Sequence, residues 1–383
     1  MAGSGHRGPP THRASRARRF RRRTSLGLSR RTRLTGAFQY VGTHSQWTTL
    51  VTTRPLLVKD VVMNRVVEHL RATSGSIAGC TLVAGAGWLL RSPEPRWRSV
   101  PRWSLWSAAT LGVAITGNEL AGKPVPFLRW SFLRMVLGMK HLLTDWQVGD
   151  GREAALAEYV ATHARPGDVD DVIRVIDEFG HNHSFLINVG DEKGEILDRA
   201  VDRVRPRRLL ELGTYCGYSA LRIARRMPPD AHLFSIEFST ANADIARRIL
   251  AHAGIADRVT VVVGTLGDGG HTVRRLREEH GFADGSLDFA FIDHDKDVYL
   301  PDLLRIEAEG WLHPGSVVVA DNVKFPGAPA YRSYMTDHEG TLWRTVEHHA
   351  HVEYQTLLKD LVLESEYVGR QVEGAPASSL ADA

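Results

Sequence analysis

From about Asp150 onward the apolar positions of the chain switch between two spacings, three- and four-residue repeats that fit one face of a helix and short β-branched runs that fit a strand. REAALAEYVATHA (152–164), DVDDVIRVIDEF (168–179) and KGEILDRAVDRV (193–204) predict three leading helices. RLLEL (208–212) predicts a first strand, YSALRIARRM (218–227) its helix, HLFSIE (232–237) a second strand and ADIARRILAHAG (243–254) the next helix. VTVVVG (259–264), LDFAFID (287–293) and SVVVAD (316–321) predict three more strands, separated by the helices TVRRLREEH (272–280) and YLPDLLRIEA (299–308). YQTLLKDLVLESEY (354–367) offers one or two closing strands. Strands alternating with helices specify an α/β fold on a mostly parallel sheet, because parallel neighbours must be joined by a crossover.

The chain before Asp150 has another texture. Nineteen residues between Arg71 and Arg91, and sixteen between Arg102 and Glu119, carry no charge. Both approach the length that crosses about 30 Å of hydrocarbon. They are rich in Gly, Ala, Ser and Thr, which insert weakly, and the basic linker RSPEPRWRSVPR separates them, so a membrane hairpin and a pair packed on protein both stay open. PFLRWSFLRMVLGMKHLL (126–143) spaces its apolar residues as an amphipathic helix, which a membrane surface or the body of the protein can cover. The expected organisation is a basic disordered arm over 1–60, an apolar and amphipathic extension over 61–145, an α/β domain over 146–370 and a loose tail over 371–383. The α/β domain, from about Met139, is expected to fold without what precedes it.

At 383 residues the chain is too long for one mean-sized domain, and 43% hydrophobic with 24% charged residues excludes a wholly disordered, fibrous or multi-span protein. Its two cysteines, Cys80 and Cys216, lie in no C-x-x-C pair, which excludes disulfide scaffolds and cysteine zinc modules and fits a reducing, cytoplasmic setting. The net charge of +4 is misleading, because thirteen basic and no acidic residues precede Asp60 and the remainder carries a formal −9. That arm fits a transit peptide, an anionic-lipid contact, a nucleic-acid tether or upstream sequence of no function. The acidic body is a poor partner for phosphate, so no nucleic-acid partner is expected of it.

Candidate chemistry gathers at the strand ends. Gly213 and Gly217 bracket the turn that leaves the first strand, in Glu211-Leu-Gly-Thr-Tyr-Cys-Gly-Tyr-Ser219. Bare backbone there lets a ligand approach, and the helix start adds free N–H donors; an ordinary glycine turn is the plain alternative. The second strand ends at Glu237, twenty-four residues after Gly213, where a carboxylate can accept from both hydroxyls of a ribose. The third ends at Gly264 before Thr265-Leu-Gly-Asp268, a place for an adenine ring. The fourth ends Asp293-His-Asp-Lys296 and the fifth Asp321-Asn322. Carboxyl ends of neighbouring parallel strands line one crevice, so Asp293, Asp321 and Asn322 should converge. Two carboxylates and one amide are hard oxygen donors suited to Mg²⁺, while a helix N-cap is the alternative for any one such aspartate. Lys296, three residues past Asp293, can face the same crevice and accept a proton, or pair at the surface with Asp295 or Asp297.

Six ordered motifs across residues 146–370 resemble the catechol O-methyltransferase family: Asn188-Val-Gly-Asp-Glu-Lys-Gly194, Leu210-Glu-Leu-Gly-Thr-Tyr-Cys-Gly-Tyr-Ser219, Asp293-His-Asp-Lys296, Tyr299-Leu-Pro-Asp302, Ala320-Asp-Asn322 and Pro326-Gly-Ala-Pro329. The resemblance implies a Rossmann-like S-adenosyl-L-methionine-dependent methyltransferase fold, a seven-stranded mostly parallel sheet with helices on both faces. It implies Mg²⁺-dependent methylation of one hydroxyl of a small catechol-type acceptor. Other ortho-dihydroxy phenolics, such as caffeoyl derivatives, are the alternative acceptors, and a membrane-tethered protein that only binds its ligand is the non-catalytic alternative. By the resemblance Asp293, Asp321 and Asn322 are metal ligands, Lys296 the general base, and Glu353 the carboxylate that holds the second hydroxyl of the diol. Ile187, Asn188, Val189, Gly213, Tyr215, Ser219, Glu237 and His294 fall around the cofactor, and Pro326 walls the acceptor cleft together with Asp293, Lys296, Asn322 and Glu353. Membrane contact, if made, runs through residues 72–143. The chain departs from the family at Asp295 and Phe185, where tryptophans flank the cleft mouth, and at Leu266 and Gly267, where a hydroxyl and an amide meet adenine.

Overall fold

A computed structural model describes residues 75–91, 101–123, 125–137 and 147–369; the basic arm, residues 138–146 and the tail lie outside them. The described residues belong to one compact unit, so the extension and the α/β body belong together.

Seven strands form one sheet in the order β3-β2-β1-β4-β5-β7-β6. β1 (Arg208–Leu212), β2 (His232–Glu237), β3 (Val259–Val263), β4 (Leu287–Ile292) and β5 (Leu312–Ala320) run parallel; β7 (Lys359–Tyr367) is antiparallel to β5, and β6 (Trp343–His351) to β7. Both faces of the parallel strands are covered. Phe289, Phe291, Val317 and Val319 lie in one apolar layer, while Ala290, Ile292, Val318 and Ala320 lie in the other. That double burial is why these strands read as mainly apolar runs. The two closing strands differ from expectation. Only one lies within 354–367; the other, WRTVEHHAH, sits upstream and is mostly exposed or half-buried, as on an edge strand.

In the body, the helices are α4 (Arg152–His163), α5 (Val169–Asn182), α6 (Gly190–Val204), α7 (Tyr218–Arg226), α8 (Thr240–His252), α9 (His271–Glu278), α10 (Tyr299–Ala308) and α11 (Pro329–Asp337). In the extension, α1 (Gly75–Arg91) and α2 (Arg102–Leu120) form a hairpin, followed by a 3₁₀ turn at Pro126–Leu128 and α3 (Trp130–Leu137). The single amphipathic helix expected over 126–143 is thus broken at Arg129. Glycines set the hairpin spacing: a Cβ on Gly79 would lie 2.6 Å from the Gly112 carbonyl oxygen, and one on Gly112 equally close to that of Gly79. Among the described residues no helix is long and apolar enough to cross a membrane.

Candidate active site

Register brings the strand-end residues into one row. Leu212 pairs with Ile236 on one side and Ile292 on the other, and Ile292 with Ala320. The next residues are Glu237, Gly213, Asp293 and Asp321, side by side at the carboxyl edge of four strands. The strand order reverses between β1 and β4, where open α/β sheets bind ligands.

On the β1–β2 side, Gly213 adopts φ 102°, and a Cβ there would meet the Asp293 carbonyl oxygen at 2.5 Å. Only glycine lets the two strand ends approach so closely. Glu237 is buried and accepts from the backbone N–H of Tyr215 at 2.7 Å and of Ser239 at 2.9 Å. Burial raises its pKa while these donors pull it back. Tyr215, left-handed at φ 47°, sends its hydroxyl 3.0 Å to Glu153. Ser219 is buried at the start of α7 and hydrogen-bonds Glu211, whose carboxyl burial lifts to about 7. His294 stacks on Tyr299 and pairs through Nε2 with Asp302 at 2.9 Å. Ile187 is half-buried, Val189 is buried, and Asn188 folds its Oδ1 back onto the Gly190 N–H at 3.1 Å.

On the β4–β5 side, Lys296 Nζ donates to Asp293 Oδ1 at 2.9 Å and to the Tyr299 hydroxyl at 2.5 Å. Thus it pairs inside the crevice with Asp293 and not at the surface with Asp295 or Asp297. Asp321 is fully buried, and Asn322 beside it is left-handed at φ 53°. The Asn322 amide donates to Glu353 Oε1 at 3.0 Å and to Asp360 Oδ2 at 2.8 Å, which turns its oxygen the other way. Lys193 completes the cluster. Its Nζ, with no exposed side-chain surface, lies 2.8 Å from Asp321, 2.7 Å from Glu353 and 3.0 Å from Asp360. Burial lowers the lysine pKa, but the three carboxylates hold it well above its usual range. Burial, then Asp293 and Glu353, push the Asp321 carboxyl up to about 8 against the pull of Lys193 and Lys296.

Two residues escaped the sequence reading. Asp360 also accepts from the Phe325 N–H at 2.9 Å and anchors the turn that carries Pro326, which is exposed. Lys193 was visible only as one letter of the Asn188–Gly194 motif. Phe185, expected at the cleft mouth, is instead buried and meets Phe132 of the extension edge-on at 5.6 Å. Asp295 caps the turn that holds Lys296, accepting from the Asp297 N–H at 3.1 Å.

Residues 171–339 match the family model described as O-methyltransferase. A Mycobacterium tuberculosis protein named "Probable O-methyltransferase" is 60% identical over 235 residues, 61% of this chain and 100% of that one. The chain belongs to the O-methyltransferase family. Within that family, catechol O-methyltransferase B of Danio rerio is 42% identical over 218 residues, 57% of this chain and 80% of the relative. The Rossmann-like α/β sheet inferred from the sequence is the observed one.

Proposed function

We propose that this O-methyltransferase transfers a methyl group from S-adenosyl-L-methionine to one hydroxyl of a catechol, with Mg²⁺ as cofactor. The observation that carries the reading is the convergence of Asp293, Lys296, Asp321, Asn322 and Glu353 at one sheet edge. Among the described residues no three His, Cys, Asp or Glu side chains are grouped to hold a metal, so the candidate set rests on two carboxylates and the Asn322 amide oxygen. Their chemistry fits a hard dication: Asp321 Oδ2 is buried and accepts no hydrogen bond, with the Lys193 ammonium 2.8 Å away as its counter-charge, and burial and the neighbouring carboxylates raise the pKa of its carboxyl. When bound, Mg²⁺ would lower the pKa of a diol hydroxyl, and S-adenosyl-L-methionine would supply the methyl group. Lys296, in its neutral form, takes the hydroxyl proton at Nζ, an atom that Asp293 and Tyr299 hold in place. Glu353 Oε1, fixed by Lys193 and Asn322, accepts from the second hydroxyl and orients the diol. Glu237, Gly213, Tyr215, Ser219 and His294 line the cofactor side of the row. The fixed positions of the two sides supply much of the acceleration, since in-line placement of two bound reactants is worth roughly 7–11 kcal/mol.

The test is purified protein with S-adenosyl-L-methionine, Mg²⁺ and a panel of catechols and caffeoyl derivatives, with products resolved by mass spectrometry. Methylated catechol that disappears in excess chelator is the expected result. Turnover undiminished by chelator, or by Asp293→Ala, would overturn the metal assignment, and preference for caffeoyl acceptors would move the substrate class.

The hairpin fits contact with a membrane surface, without crossing. Trp88, Trp103 and Trp106 are 59%, 72% and 62% exposed, near Arg91 and Arg102, an aromatic and basic combination suited to a lipid interface. Co-sedimentation with anionic vesicles, lost in Trp103→Ser/Trp106→Ser, is the expected outcome; full-length protein that stays in the supernatant would end this reading.

A further inference from the structure

Helix α5 ends at Asn182, and residues 183–189 then lead past Phe185 to Ile187, Asn188 and Val189 on the cofactor side of the crevice. The last carbonyls of a helix have no partner within it. Here the extension supplies partners. Arg129 Nη2 donates to the Gly180 and His181 carbonyls at 2.8 and 2.9 Å, and Lys123 Nζ to the Asn182 carbonyl at 2.7 Å. Cations at a helix C-terminus also meet the favourable end of its dipole. The following strap is held from the same side. The Phe185 N–H donates to Ser131 Oγ at 3.2 Å, Arg134 donates to Ser184 Oγ at 3.1 Å, and Arg152 links the carbonyls of Phe185 and Ser131.

The capping turn is itself stiff. Asn118 exchanges hydrogen bonds with the Val125 backbone at 3.0 and 2.8 Å, closing the loop in which Gly122 and Lys123 are both left-handed, at φ 81° and 64°. On the other side of the helix end, Gly180 lies under the Tyr354 ring, where a Cβ would come within 2.6 Å of Cζ, and Tyr354 follows Glu353 in the chain. The capped end therefore adjoins both the cofactor strap and the segment that presents the diol-binding carboxylate.

We propose that Arg129 and Lys123 are positioning residues, which cap α5 from the extension and thereby fix the 183–189 strap for cofactor and acceptor binding. This rests on the proposed roles of Ile187, Asn188, Val189 and Glu353. In the full chain, Arg129→Ala, Lys123→Ala and Arg129→Lys would be compared by hydrogen exchange and by kinetics with S-adenosyl-L-methionine and a catechol. Exchange within 180–189 should accelerate at least about tenfold in Arg129→Ala, as expected for losing charge-assisted hydrogen bonds, and less in Lys123→Ala, with strand amides unchanged. KM should rise severalfold with kcat within about twofold, and Arg129→Lys should restore most of both. Wild-type exchange over 180–189 in both alanine variants, acceleration spread through the sheet, or an unchanged KM beside a loosened strap would each overturn the proposal. Because Lys123 is only half-buried, its variant keeps the test open if Arg129→Ala does not fold. Absence of methyl transfer in wild type with every acceptor would defeat the catechol reading, while the exchange arm still decides the capping.

Discussion

At the carboxyl edge of the sheet, Lys193, Asp321 and Asp360 are wholly buried, and the lysine meets both carboxylates within 3.0 Å. In the hairpin, Ile77–Leu90 and Trp103–Asn118 carry no charge, and Trp88, Trp103 and Trp106 face outward. The sheet edge hides its charges and the apolar hairpin shows its rings. The two regions also differ in how far their contacts reach along the chain. Lys193 bonds Asp360 across 167 residues, so the cluster exists only when α6 and β7 are both docked. The hairpin needs only its neighbouring helix, because Gly79 and Gly112 let the two backbones touch. Failure should therefore be global in one region and local in the other.

The largest expected effect tests the chemistry that only the body possesses. Lys296→Met should lower kcat by roughly 10²–10⁴, the usual worth of a positioned base, with little change in cofactor affinity measured by calorimetry. Equal activity across pH 6–9 would show that solvent serves as base. Next, Lys193→Met leaves Asp321, Glu353 and Asp360 without their shared cation. Breaking such a buried pairing should cost about 3–5 kcal/mol in urea unfolding, and a loss under 1 kcal/mol would show that water reaches the cluster.

A smaller effect comes from Asp177, which accepts from the Tyr218 hydroxyl at 2.6 Å and whose carboxyl burial pushes up from 3.8 to about 6. The unfolded chain releases this proton near pH 3.8 and the folded chain only near 6, so this group's contribution to stability falls as pH rises between them. The fall amounts to about 3 kcal/mol and should vanish in Asp177→Asn, read as the difference between two stability–pH curves. A flat difference would mean that Tyr218 and Tyr354 compensate the buried charge. The smallest effect sharpens the hairpin side. Gly79→Leu should force the two helices apart at about 1–3 kcal/mol, seen as faster amide exchange over 75–120 with the sheet amides unmoved. Accelerated exchange in β1 or β4 would show that the hairpin is coupled to the sheet more tightly than its local contacts imply.

The sequence by itself determined the five parallel strands, since strands buried on both faces leave short apolar runs that alternate with helical repeats along the body. It also determined the row of Glu237, Gly213, Asp293 and Asp321, because each closes a run and parallel register aligns the ends. Strand β6 was not legible: an edge strand with three histidines at 348, 349 and 351 has the polarity of a loop until β7 pairs with it. Tertiary structure alone decided that Lys193 would enter the carboxylate cluster, that Phe185 would turn under the extension, and that Arg129 and Lys123 would end α5. The last of these bears on the expectation that the domain from about Met139 needs nothing upstream, for the capping residues lie in the upstream segment. Local periodicity records which face of an element is apolar, whereas the partner of a buried charge depends on how elements far apart in sequence dock, and only the folded chain specifies that.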